Sequence, residues 1–136
     1  MMVNRWFHPP RLHVPAHGHT RRVGWLELFY DLVYVATIIQ LGNALSENFT
    51  AQPAVALVGF FGLFAPLWLT WTTNTFFANR FAVDDLLHRV LIFAQMFGVV
   101  GMGLTLGRVF EGTPEPFAVC YAAVRLMQAL MYARVR

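Results

Sequence analysis

Glu27 and Asp31 stand four residues apart inside an otherwise apolar, aromatic run, and Arg125 stands alone near the middle of another. A spacing of four puts both carboxylates on one helix face, with Tyr34 and Ile38 continuing the stripe. Two close carboxylates can split their pKa values and do acid–base work. No nucleophile–base pair, metal motif or phosphate loop accompanies them, so there is no recognisable catalytic constellation. Tyr121, Arg125, Gln128 and Tyr132 recur at helical spacing as a second polar stripe. An arginine keeps its proton, so Arg125 needs an anion, water or carbonyls, and Glu27 and Asp31 are the obvious anions. The expectation is a buried polar cluster or pathway of Glu27, Asp31, Tyr34, Tyr121, Arg125 and Gln128. It would either carry an ion, a proton or an anionic substrate, or be a structural salt bridge with nothing passing through it. A voltage sensor would repeat arginine every third residue, and Arg125 is single.

Such groups must be held by elements suited to their surroundings. Of the 136 residues, 57% are hydrophobic and only 12% charged, and the mean hydropathy is +0.52. Soluble domains carry roughly 25% charged residues, which argues against a soluble enzyme, a disordered tail or a nucleic-acid module. Crossing a bilayer core takes roughly 20 helical residues. Four segments qualify, at about 25–45, 54–77, 86–107 and 116–133. Short connections with loop signals lie between them, at Ser46–Pro53, Ala78–Asp85 and Arg108–Glu115, and suit antiparallel neighbours. The fold class is therefore all-α, a polytopic membrane protein whose four transmembrane helices pack as an antiparallel bundle with the lipid bilayer as its partner. Gln40 and Asn43 oppose the acidic face of the first helix, which predicts neighbours on both of its sides.

Residues 1–24 read as a basic, His/Pro-rich cytoplasmic arm. His8, His13, His17 and His19 share no helical or strand face, so neither a metal site nor any cofactor is expected. Thr20-Arg21-Arg22 faintly resembles an export signal, but the following segment carries Glu27 and Asp31 and lacks a cleavage site, which favours a retained helix. All ten basic residues are arginines, scattered at segment ends rather than gathered for nucleic acid. With the N-terminus inside, eight lie inside, Arg108 lies outside and Arg125 lies within a helix. Arginine asymmetry thus predicts both termini in the cytoplasm. Asn48-Phe49-Thr50 on the outer loop is read as a chance sequon, and Cys120 as a buried, inert thiol.

Other polar and small residues suggest packing. Trp68, Thr72, Thr75 and Asn79 share a face of the second segment, beside Trp71 and Asn74, as interfacial anchors and interhelix glue. Ala94, Gly98, Gly101 and Thr105 form a small-residue face for close helix packing, and Gly103 and Gly107 a second such site. His88 and Gln95 lie on a separate face of that third segment. Asp84 and Asp85 can cap it, and Asp85 to Arg89 is an i, i+4 pair that could lock the inner loop.

The run Gly24-Trp25-Leu26-Glu27-Leu28-Phe29-Tyr30-Asp31-Leu32-Val33-Tyr34-Val35 resembles the opening signature of the bacterial low temperature requirement protein A family. Ala78-Asn79-Arg80-Phe81, Asp84-Asp85 and Arg89 resemble its inner-loop motif, and the resemblance runs over roughly residues 20–136. Tyr30 and Tyr34 stand where Phe is common, and Ala82 where an Asp is often found. The resemblance implies a multi-pass protein of the bacterial inner membrane, linked by name to growth in the cold, with no reaction or substrate attached. It places Asn79, Arg80, Asp84, Asp85, His88 and Arg89 in or beside a cytoplasmic loop motif. Family members carry two to three times as many helices, and four passes are few for a pathway, so further C-terminal helices or a homo-oligomer are expected. Three functions follow: a transporter- or channel-like protein, a structural or stress-related interaction subunit without transport, and an intramembrane enzyme at the inner face.

Overall fold

The computed structural model describes residues 11–12, 24–82 and 85–135. Helices α1 (Trp25–Phe49), α2 (Pro53–Arg80), α3 (Leu86–Phe110) and α4 (Glu115–Val135) make up nearly all of it. Two residues on each side, β1 (Arg11–Leu12) and β2 (Phe81–Ala82), pair antiparallel between the N-terminal arm and the end of α2. The rest of the arm up to residue 23, with its histidines, lies outside the described residues, as does Asp84.

All four helices are long and apolar enough to cross a membrane. At about 1.5 Å per residue, each exceeds a hydrocarbon core of about 30 Å. Each runs beyond the segment that hydropathy marks out; α1, for example, continues through Ser46, Glu47 and Asn48 to Phe49. The backbone explains the overrun. Hydropathy marks where lipid ends, whereas a helix stops only where its hydrogen bonds are diverted.

Those diversions are local and legible. Pro53 opens α2 at a position that needs no amide donor. Asp85 caps α3 by accepting the His88 backbone N–H at 3.0 Å. Gly112, at φ +89°, closes α3: its amide bonds the Val109 carbonyl at 3.1 Å, and that of Thr113 bonds the Arg108 carbonyl at 2.9 Å. This paired closure needs a left-handed residue, which glycine supplies without strain.

The short loops give an up-down bundle in which neighbours around the ring run α1–α2–α4–α3. α3 packs extensively on both α1 and α4, α2 packs on α1, and the α2–α4 seam is the loosest. Close approach along α3 rests on its glycines. A Cβ on Gly98 would fall 2.3 Å from Val124 Cγ2, and one on Gly101 2.8 Å from Cys120 Sγ, both on α4. One on Gly103 would meet Thr37 of α1 at 3.3 Å, whereas one on Gly107 would meet nothing within 4 Å. Ala94 and Thr105 lie half-buried on α3, and the Thr105 hydroxyl bonds back to the Gly101 carbonyl at 2.9 Å.

The core changes character along its length. Where α1 and α3 end and α2 and α4 begin, it is apolar: Leu41, Ala44, Ala56, Leu63, Met102, Leu106 and Phe117. In the half nearer the N-terminus of α1, the buried set also includes Tyr30, Tyr34, Thr70, Asn74, Gln95 and Gln128.

Candidate functional site

This polar half is built from all four helices. α1 turns Tyr30 and Tyr34 inward, one turn apart, with hydroxyls 3.5 Å from each other. The Tyr30 hydroxyl donates to Gln95 Oε1 of α3 at 3.2 Å, and the Gln95 amide donates to the Met131 sulfur of α4. Gln128 of α4 donates to the Thr70 carbonyl of α2 at 2.8 Å. Thr70 turns its own hydroxyl back onto the Pro66 carbonyl at 2.7 Å. Buried polar groups normally find partners, yet among the described residues Asn74 Oδ1 and Thr72 Oγ1 have none. Asn74 is only 6% exposed, so its bare carbonyl lies inside the bundle.

The charged groups do not meet as the sequence led us to expect. Asp31 lies on the outside of the α1–α2 seam and accepts the Trp71 indole N–H at 2.9 Å. Arg125 lies on the outside of the α2–α4 seam and donates to Thr73 Oγ1 at 3.3 Å and to Gln128 Oε1 at 3.2 Å. No ion pair joins Arg125 to Asp31 or Glu27 among the described residues. The ring order supplies the reason: α1 and α4 sit on opposite sides of α2, and polar α2 side chains satisfy each charge separately. Glu27 is half-buried on α1, Tyr121 is half-buried on α4, and Tyr132 reaches the Thr73 carbonyl at 3.2 Å. Of the expected cluster, the structure brings Tyr34 and Gln128 inside, ties Arg125 to Gln128, and leaves Asp31 and Arg125 on the flanks. Gln40 and Asn43 face outward.

At the same end, the loop residues form a separate lock. Asp85, expected to pair with Arg89, takes a two-pronged contact from Arg134 at the end of α4. The Arg134 guanidinium, helped by the His88 amide and working against partial burial, holds the Asp85 carboxyl below the usual range. His88 stacks on Phe77 at 5.7 Å between ring centroids, and Tyr132 meets Phe77 edge-on at 5.0 Å. The Arg80 guanidinium lies 5.8 Å from the centroid of the Phe81 ring. Asn79 and Arg89 are exposed. A shallow apolar cleft of about 500 Å³ is lined by Phe81, Ala129, Tyr132, Ala133 and Val135. Among the described residues, no group of three or more His, Cys, Asp or Glu could hold a metal ion.

Reading the sequence missed Tyr30 and Arg134 as contact makers and assigned Gln95 to a separate face. The i, i+4 pair Tyr30–Tyr34 was the available signal for the first. The partner of Arg134 lies 49 residues away, and nothing local announces it.

With this geometry in hand, comparison with known proteins decides the kinship. The model for the bacterial low temperature requirement A protein (LtrA) matches residues 22–136. The chain belongs to the LtrA family. An uncharacterized protein of Rhizobium meliloti (strain 1021) is 36% identical over 104 residues, covering 76% of this chain and 25% of that protein. The chain therefore spans only about a quarter of the length of this relative. No solved structure matches it significantly. Family membership and four apolar helices together make this LtrA chain a multi-pass membrane protein.

Proposed function

We propose that this LtrA-family chain is transporter- or channel-like and non-enzymatic, with its hydroxyl- and amide-lined half open to a small, uncharged polar solute or to water from the cytoplasmic side. Asn74 carries the reading. An unbonded buried acceptor beneath lipid costs about 1–3 kcal/mol, and a passing N–H or O–H donor would satisfy it. Asn74 lies six residues inside the α2 end at Arg80, about 9 Å along the helix. The reading takes the arginine asymmetry as fixing both termini in the cytoplasm of a bacterial inner membrane, so that the polar half faces inward. The apolar half, with Leu41, Leu63, Met102 and Leu106, would act as the closed gate.

The test is stopped-flow light scattering on proteoliposomes, with urea and glycerol as probes. Permeability above protein-free vesicles, lost in Asn74→Leu with the fold retained, is the expected result. Permeability equal to that of empty vesicles, or unchanged in Asn74→Leu, would overturn it. A second reading, a structural subunit with no transport, draws on the separate satisfaction of Asp31 and Arg125 by neutral partners. It predicts that Asp31→Asn and Arg125→Gln leave the protein's cellular role intact.

A further inference from the structure

Two opposite charges sit on the flanks of α2 within about one helical turn of each other in depth. Asp31 is held by Trp71 and Arg125 by Thr73, positions two residues apart and therefore about 3 Å apart along the helix. Both side chains are exposed, and neither meets an opposite charge among the described residues. Asp31 lies six residues into α1 and Arg125 ten residues from the end of α4. Those positions correspond to about 9 and 15 Å along the helices, within the hydrocarbon. Lipid readily covers the neighbouring Phe61, Leu69 and Phe76, but it covers charges poorly, and such groups generally face protein or water.

The strip between the charges is suited to another helix. Gly62 and Ala65 are exposed on it, and a Cβ on Gly62 would meet nothing within 4 Å. Pro66 has no amide to offer the Gly62 carbonyl. Small residues of this kind let helix backbones approach closely in a membrane.

We propose that the α2 face is the interface between two copies of this chain, in which Asp31 of each copy pairs with Arg125 of the other. Charge complementarity selects the occupant. Copies sharing one topology are related by a two-fold axis along the membrane normal, and such an axis preserves depth. It also exchanges the two flanks of α2, carrying the acid of one copy to the side where the other presents its cation. The closeness in depth of two unlike charges is what self-association requires. The pairing is independent of whether solute crosses the bundle.

The experiment uses disulfide trapping in native membranes, in a Cys120→Ala background with Phe61→Cys on the α2 strip and Phe93→Cys on the outer side of α3 as the comparison. The Phe61 variant should yield a band of twice the monomer mass and the Phe93 variant should not. Asp31→Arg and Arg125→Asp, each introduced into the Phe61→Cys protein, should each cut that band at least tenfold when expressed alone. Co-expressed, the two restore it, because the mixed pair brings arginine to aspartate at both contacts. Circular dichroism confirms that each variant is folded. Absence of the band in the parent Phe61→Cys protein, or a mixture no better than its parts, would overturn the proposal and assign the face to a different segment or protein.

Discussion

Replacing Gly98 by alanine tests how tightly α3 and α4 are joined. The new Cβ would lie 2.3 Å from Val124 Cγ2, where carbon atoms prefer about 3.5–4.0 Å. More than an ångström must therefore be found. Val124 is β-branched and fully buried, and it has little freedom to give way. Overpacking of this kind costs about 1–3 kcal/mol. Alanine recovers about 0.8–1.0 kcal/mol of helix propensity, so the net loss is about 0–2 kcal/mol. Gly42 supplies the control. It lies inside α1, and a Cβ there meets nothing within 4 Å, so Gly42→Ala retains only the propensity gain. The difference between the two variants cancels propensity and should be about 1–3 kcal/mol, all of it overpacking. Reversible unfolding in mixed micelles, followed by tryptophan fluorescence, measures both. Adding Val124→Ala to Gly98→Ala should remove the clash and appear as a favourable coupling of about 1 kcal/mol or more. The reasoning is refuted if Gly98→Ala matches Gly42→Ala, or if truncating Val124 brings no relief.

Asp85→Asn keeps the α3 cap but removes the charge facing Arg134. Because the folded carboxyl is held below its ordinary value, its stabilisation is complete above the unfolded value of about 3.9 and fades as the pH falls through the lower folded value. The variant should be less stable by about 1 kcal/mol at neutral pH, a figure reduced for partial solvent screening. That gap should close in acid, which denaturation curves at graded pH will record. Tyr30→Phe deletes the bond to Gln95 and should cost about 0.6 kcal/mol, the usual scale between membrane helices; mixed-micelle unfolding reads it. Asn74→Leu removes the unbonded acceptor at similar volume and should leave stability unchanged or raise it by about 1 kcal/mol. A thermal melt showing clear destabilisation would mean that the carbonyl has a partner after all.

The number of crossings, their antiparallel arrangement and the family could be read from the sequence because each has a local cause. Runs such as Ala54–Phe77 tell of lipid, Gly112 and Pro114 tell of a turn, and the Trp25–Val35 string has few imitators. The pairing of charges could not be read so easily. Low dielectric predicts that Arg125 must be satisfied but does not say by what, and the obvious carboxylates lost to Thr73 and Gln128. That outcome depended on the order of helices around the ring, a long-range property that no spacing within α1 or α4 encodes. Asp85 shows the same limit: a nearby Arg89 suggested one partner, and the fold brought Arg134 instead.

The loose α2–α4 edge has a mechanical consequence. Three sides of the bundle are zipped by close side-chain packing, whereas this one is strapped by the reach of Arg125, Gln128 and Tyr132 to Thr70 and Thr73. Pulled or thermally strained, the bundle will split first along that edge, swinging α2 away on its attachment to α1 like a door on its jamb. The opening would present the interior sideways, through the wall of the bundle, rather than endwise to water.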